Sequence, residues 1–283
     1  MIRQCPLCGS QDAGRSKIIL SDSKKEAPLR TCNKCGLYYL ADLDRSRLGV
    51  YDENYSVWGE DEKGIEEVIA ESKKHNFRKL LSKLRKHTSF RGKSILDIGT
   101  GNGYLLDAAK ELGFRECWGL ELSKSAAKKA AKKFPGRIFN CELGKIKTSK
   151  QFDVISMADV IEHLPSVKKD FELISRHLKK GGLLIITTPD TDSITRKMFS
   201  RSWFQYKFEH VVYFNRQSME RILGGYEILR FSNNTKSLKL AYYKSYFRKY
   251  VSKFLAGLMP GFLGGLTITN PMMGEMLVIA RKK

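Results

Sequence analysis

The stretch ILDIGTGNGYLL, residues 95–106, constrains the fold of this chain more than any other. An apolar strand runs into Asp97, a turn carries Gly99, Gly101 and Gly103 at alternate positions, and a helical pattern follows. Glycine removes the side chain where a backbone must turn sharply and come close to a ligand. A strand, turn and helix of this kind buries its apolar strand only against further strands. The residues downstream supply them. GYLLDAAKELG predicts a helix ended by Gly113, ECWGLEL a strand, KSAAKKAAKKF a helix and RIFN a weaker strand. FDVISM reads as a strand, VKKDFELISRHLKKGG as a helix, and GLLIITT as a strand closed by Pro189. NRQSMERILGG is then a helix, and YEILRF and EMLVIAR are closing strands. Alternation with nearly continuous apolar strands implies a parallel sheet covered on both faces, an α/β architecture over residues 91–283.

A glycine-rich turn alone does not choose its ligand, because dinucleotide enzymes carry one too. The next strand adds Glu121 in GLELS, about 20 residues on, where a carboxylate accepts both hydroxyls of a ribose. Asp97 directly before the glycines would repel a pyrophosphate and attract the ammonium of an amino-acid tail. Met157, Ala158 and Asp159, at the end of the fourth strand, are expected beside an adenine or sulfonium.

The other strong pattern is Cys5-x2-Cys8 and, 23 residues later, Cys32-x2-Cys35. Two such turns supply the four thiolates of a tetrahedral Zn²⁺, and a closed four-cysteine site is structural. Glycine follows each pair, in CPLCG and CNKCG, and lets the turn go left-handed. Residues 1–40 are too short to hold a core without such a staple. Cys117 and Cys141 are expected in the core. Residues 41–90 read as a tyrosine-containing linker and then a helix, with Phe77, Leu80, Leu81 and Leu84 at helical spacing.

Together these residues closely resemble the class I methyltransferases that use S-adenosylmethionine (SAM), over roughly 94–231 and 274–283. The resemblance implies a Rossmann-like seven-stranded methyltransferase sheet with an antiparallel last strand, here preceded by a small N-terminal zinc ribbon. It implies cofactor contacts from Asp97, Gly99, Thr100, Gly101, Gly103, Glu121, Leu122 and Met157, with Glu121 on the ribose and Glu142 near the adenine amine. The ribbon and FEHVVYF resemble bacterial methyltransferases acting on nucleotide-linked deoxysugars and related glycans. That likeness points to a small-molecule, sugar or glycan acceptor. Phe208 stands where that group has a tyrosine before Glu and His.

For the acceptor side, His210 supported by Glu209 is the expected base, with His163 beside Glu162 as the other candidate. The alternatives are a helix start at Glu162-His163 and a small aromatic core around His210 with Phe208 and Phe214. Tyr51 or Tyr55 would either close over the cofactor or pack a junction.

The chain carries 51 Lys and Arg against 30 Asp and Glu, a net charge of +21, which favours an anionic partner. Between Asn233 and Gly274 lie six basic residues and no acid. There Tyr243, Tyr246, Phe247, Tyr250 and Phe254 share one helical stripe flanked by Lys244, Arg248, Lys249 and Lys253. The insertion 232–273 therefore fits an anionic membrane surface, or else a helix covering the sheet or a dimer contact. The start MIRQCPLCGS has no apolar core of a secretory signal, so a cytoplasmic protein is expected, with peripheral attachment to the inner membrane face. Two other readings stay open: an RNA methyltransferase using ribbon and charge, and a SAM-binding protein without turnover. Nucleic acid is the weaker of the partners, because SMADVIEHL lacks the Asn/Asp-Pro-Pro-aromatic turn common where exocyclic base nitrogens are methylated.

Overall fold

A computed structural model describes residues 4–41, 65–239, 267–270 and 274–283. Tyr51, Tyr55 and the aromatic stripe 243–254 with its flanking bases lie outside the described residues.

The chain opens with three antiparallel strands, β1 (Ala13–Ile19), β2 (Glu26–Cys32) and β3 (Tyr38–Leu40). After α1 (Ile65–Ser82) come β4 (Ser94–Ile98), α2 (Tyr104–Glu111), β5 (Glu116–Leu120), α3 (Lys124–Lys133) and β6 (Ile138–Phe139). They are followed by β7 (Phe152–Ala158), α4 (Val167–Arg176), β8 (Leu178–Pro189), α5 (Ile194–Phe199) and β9 (Val212–Tyr213). Last are α6 (Arg216–Ile222), β10 (Tyr226–Asn233), β11 (Lys236–Lys239), β12 (Thr267–Asn270) and β13 (Glu275–Lys282).

The main sheet has seven strands in the order β10-β13-β8-β7-β4-β5-β6. β4 to β8 are mutually parallel, and β13 runs antiparallel to both β8 and β10, as the resemblance implied. The central strands are buried on both faces: every residue of β4 is buried, which explains its unbroken apolar run. Helices bury single stripes. In α4 these are Val167, Phe171 and Ile174, at spacings of four and three. Caps fix the starts: Ser123 accepts from the Ala126 N–H, and Asn215 and Ser218 form a reciprocal box at α6.

One element differs from the sequence pattern. The helix expected to run on through Gly182 stops at Arg176, and β8 starts at Leu178. Gly181 takes φ +73°, and a Cβ on Gly182 would lie 2.8 Å from the Lys179 carbonyl, so the glycine pair bends the chain into the sheet. Lys282 donates to the Ser175 and Leu178 carbonyls at 2.7 and 2.8 Å, satisfying the helix end from a remote strand.

The cysteine ribbon is not an appendage. β9, from the far half of the chain, pairs with β3 and completes a four-stranded sheet β1-β2-β3-β9. Cys5, Leu7, Cys32, Cys35, Leu37 and Tyr39 share one core with Val211, Val212, Phe214 and strands of the main sheet. Gly36 is needed for this fit, since a Cβ there would meet Asn215 and Gln217 side chains at 2.7 Å. The segment that follows β8 is thus anchored to the ribbon through β9.

Candidate functional site

The carboxyl ends of β4, β5, β7 and β8 converge on one edge of the main sheet. Gly99, Gly101 and Gly103 have φ of +73°, +55° and +83°, values that only glycine adopts without cost. A Cβ on Gly99 would sit 2.6 Å from the Val160 side chain. The turn is tied to the next strand: Gly99 and Thr100 both donate their N–H to the Leu120 carbonyl, at 2.8 and 3.0 Å. Thr100 is buried over Gly119, where a Cβ would lie 2.6 Å from its methyl group. Glu121 accepts from the Gly101 N–H at 2.7 Å and the Ser123 N–H at 2.8 Å. Burial raises its pKa, against these hydrogen bonds. A carboxylate has about four lone-pair sites, so room remains for a diol. Leu122 follows with 42% of its surface exposed.

Three expected cofactor residues sit differently. Asp97 is buried and accepts from Ser156 Oγ at 2.7 Å, which joins β4 to β7 beneath the glycine turn. Burial pushes it up to about 7. Met157 is fully buried in the core because strand alternation turns it away from the edge, so it offers no face to a ligand there. Glu142 points outward, 64% exposed, paired with Lys145 at 3.2 Å. Asn140 takes the inner place instead, donating to the Glu121 and Leu122 carbonyls at 2.8 and 3.1 Å.

Beside this edge the structure gathers Glu162, His163 and His210, with one donor atom of each within 4.8 Å of the others. Glu162 and His163 lie on a short turn after β7, and His210 lies just before β9. Two hydrogen bonds stitch these segments: Val211 N–H to the Glu162 carbonyl at 2.9 Å, and His163 Nδ1 to the Glu209 carbonyl at 3.0 Å. The His163 and His210 rings meet edge to face, 4.8 Å between centroids. His210 Nδ1 bonds to the Gln205 carbonyl at 2.9 Å. Gln205 therefore orients His210, where the sequence suggested the Glu209 carboxylate; Glu209 acts through its backbone on His163. His210 has Tyr213 for its aromatic neighbour, 5.9 Å away. Tyr206 is fully buried, its hydroxyl accepting from Arg196 Nε at 2.7 Å. Burial lowers His163 to about 4 and His210 well below its usual value, so both rings are neutral. Burial, helped by Asp159, raises Glu162 to about 8.

An ionic network backs this cluster. Lys236 bridges Asp159 at 2.7 Å and Glu275 at 2.8 Å. Glu275 also accepts from Asn234 at 2.9 Å and Gln205 at 3.3 Å. Asp159 is held at φ +58°, with Thr187 donating to it at 3.0 Å.

The sequence profile of a family described as "methyltransferase domain" matches residues 70–227, more than half of the chain. The chain belongs to the methyltransferase-domain family. Among curated proteins, the mitochondrial ubiquinone biosynthesis O-methyltransferase of Dictyostelium discoideum is 27% identical over 40% of this chain and 40% of its own length. The ubiquinone biosynthesis O-methyltransferase of Idiomarina loihiensis is 30% identical over 34% of this chain and 42% of its own. The chain thus spans about two fifths of the length of these relatives. Among solved structures, a chain from the complex of the Haloferax volcanii Trm112 methyltransferase activator with a methyltransferase superposes with TM-score 0.55 at 12% identity, covering 78% of this chain and 94% of that one. The magnesium protoporphyrin IX methyltransferase of Synechocystis PCC 6803 gives 0.50 at 14% identity, covering 86% and 99%. These likenesses show the fold.

Against the methyltransferase domain the four ribbon cysteines form a compact donor set. Cys5 and Cys35 Sγ are 3.5 Å apart, as are Cys8 and Cys32, and all four lie within 4.8 Å of one another with no disulfide. A tetrahedral ion with Zn–S bonds of about 2.3 Å needs sulfurs about 3.8 Å apart. The residues fit zinc. Cys117 is buried in the core and Cys141 packs at its margin, as expected.

The network residues Gln205, Asn234, Lys236 and Glu275 escaped the sequence reading. Their partners are remote in the chain, and no local spacing marks them. A lone glutamate opening the last strand, Glu275 in an otherwise apolar run, was the available signal.

Proposed function

We propose that this methyltransferase domain moves a methyl group from SAM to an oxygen of a hydroxyl-bearing small molecule. The observation that carries the reading is the placement of Glu121 on the Gly101 N–H, which sets a hydrogen-bond acceptor beside the glycine turn. SAM, when bound, supplies an electrophilic methyl carbon on a positively charged sulfur. Glu121 accepts the ribose hydroxyls, the turn 99–103 admits the cofactor closely because it lacks side chains, and exposed Leu122 offers an apolar face. On the acceptor side, His210 and His163 present neutral nitrogen beside the cofactor edge, with Glu209 and Gln205 holding the rings through their carbonyls. Neutral imidazole accepts a proton, burial makes both rings weak bases, and positioning an in-line nucleophile supplies much of the rate.

The curated relatives named above are O-methyltransferases of ubiquinone biosynthesis. They favour a hydroxylated small molecule over the nucleotide-sugar or glycan acceptor that the ribbon suggested. No helix among the described residues is long and apolar enough to cross a membrane. Attachment to an anionic membrane surface rests on the net charge of +21 and on residues outside those described. Zinc in the ribbon is proposed as structural, because four thiolates leave no open position.

Transfer of labelled methyl from SAM to a panel of phenols, catechols and sugars tests the reading. Label on an oxygen of a small phenol is expected, and His210→Ala should slow transfer ~10²–10⁴-fold while keeping SAM affinity. Label found only in RNA, or SAM binding with no transfer to anything, overturns it.

A further inference from the structure

We propose that Ser21 and Asp22, on the turn between β1 and β2, are positioning residues for His210, so that the ribbon sets the geometry of the acceptor side. The inference deepens the methyl-transfer reading and rests on it for the role of His210. Three hydrogen bonds carry it, each crossing more than 180 positions of the chain. Ser21 Oγ donates to the Phe204 carbonyl at 2.9 Å, and the Ser21 N–H donates to the Tyr206 carbonyl at 2.6 Å. The Phe208 N–H donates to Asp22 Oδ2 at 2.8 Å.

Residues 203–210 form neither helix nor strand, so their backbone groups must find partners outside the regular ladders. The turn meets alternate residues, Phe204, Tyr206 and Phe208. Gln205, between them, is held from the main sheet: its Nε2 donates to Glu275 at 3.3 Å. Trp203 and Tyr206 are buried against Ile18, Leu20, Ala27 and Leu29 of the ribbon hairpin. Side chains and backbone therefore fix the same segment to the ribbon.

The step from this grip to His210 is mechanical. A peptide unit is planar. Holding the Phe204 and Tyr206 carbonyls fixes the planes on either side of the one that contains the Gln205 carbonyl. That carbonyl accepts from His210 Nδ1 at 2.9 Å. A carbonyl can only accept, so Nδ1 carries the proton and Nε2 carries the lone pair that the methyl-transfer reading uses. Asp22 fixes the approach from the other side, since the His210 N–H donates to the Lys207 carbonyl at 3.2 Å around Phe208.

The turn is itself braced. Asp22 Oδ1 accepts from the Ser23 N–H at 2.7 Å, which orients the carboxylate with Oδ2 on Phe208. The Lys24 N–H donates to the Leu20 carbonyl at 2.8 Å, and the Leu20 N–H donates to the Lys25 carbonyl at 2.9 Å. Lys24 is held at φ +59°, a conformation that a residue other than glycine keeps only where its surroundings impose it.

The test uses the full chain with ribbon zinc in place. Spectra of ¹⁵N-labelled histidine rings show which nitrogen carries the proton, and His210→Ala assigns the signals. His210 of the parent should be protonated on Nδ1. Asp22→Ala should turn that signal into a mixture of tautomers, and Asp22→Asn, which keeps an accepting oxygen, should match the parent. With an acceptor, Asp22→Ala should lower kcat ~10–100-fold, the scale of a small misplacement. Acceptor KM, SAM affinity and zinc content should stay unchanged. Ser21→Ala, which loses one of the three bonds, carries the same comparisons if Asp22→Ala fails to fold. A parent-like tautomer or a parent-like kcat in the folded variant overturns the inference, as does an equal loss in Asp22→Asn. The tautomer is read without SAM or acceptor. A protein that transfers no methyl group therefore sinks the functional reading alone, and an unchanged tautomer in an active enzyme sinks this inference alone.

Discussion

The carboxylate of Glu121 and the N–H of Gly101 are 2.7 Å apart, so the acid ending one strand and the turn following its neighbour form a single edge. Glu121→Ala removes that clamp and the proposed ribose contacts together. Hydrogen bonds to a charged group contribute roughly 1.5–3 kcal/mol each. SAM affinity should fall at least tenfold in a variant whose thermal melt still shows a folded chain. Calorimetry with unchanged affinity would reject the edge as the cofactor site.

The pairing of β3 with β9, Tyr39 opposite Val212, couples the ribbon to the segment that carries His210. Metal analysis of Cys32→Ser should show loss of the ribbon zinc. Hydrogen exchange should then quicken at Val211–Tyr213 as well as in the ribbon, and methyl transfer should drop more than SAM binding. Exchange confined to residues before Leu40 would show that the two parts fold independently.

Lys236 neutralises buried Glu275 and the part-exposed Asp159. Burial lowers its pKa, but the two carboxylates outweigh that and raise it well above the usual range, so it is charged in the folded state. Lys236→Met leaves two carboxylates facing each other. Breaking a buried pair in this way costs about 3–5 kcal/mol. Urea denaturation at neutral pH reads the loss; a change below about 1 kcal/mol, the scale of exposed pairs, would mean that the network is solvated.

Asp153 sits at the opposite end of the sheet and sets an acid limit. Burial would raise it, yet the Ser94 N–H, the Lys179 ammonium, the Ser94 hydroxyl and Lys93 hold it well below the usual carboxylate range. A depressed folded pKa stabilises above the unfolded value, about 3.9, and that stability is lost as pH falls through the folded value. The parent should therefore lose stability below about pH 4 faster than Asp153→Asn. Denaturation curves of equal acid dependence would discard this assignment.

The parallel sheet, the glycine turn, Glu121 and the four cysteines were legible because each leaves a local signature. Strand and helix periods differ, a left-handed turn demands glycine, and two thiol pairs at short spacing suit one metal. The sequence pattern extends the helix to 167–182 because a glycine pair inside a strand and a helix stop look alike in sequence. Glu142 after one strand and Met157 at the end of another read as cofactor contacts by position alone, yet side-chain direction depends on pleat and twist.

The sequence by itself determined the fold class, the glycine turn with its neighbouring acid and the four-cysteine cluster, since these follow from periodicity and the conformational freedom of single residues. Tertiary structure alone decided that β9 completes the ribbon sheet and that Gln205, not the Glu209 carboxylate, orients His210. It alone brought Glu162, His163 and His210 together and set Lys236 between Asp159 and Glu275. These contacts join residues tens of positions apart through burial. The free energy of a buried polar group depends on the partners that the fold supplies, which chain order does not encode.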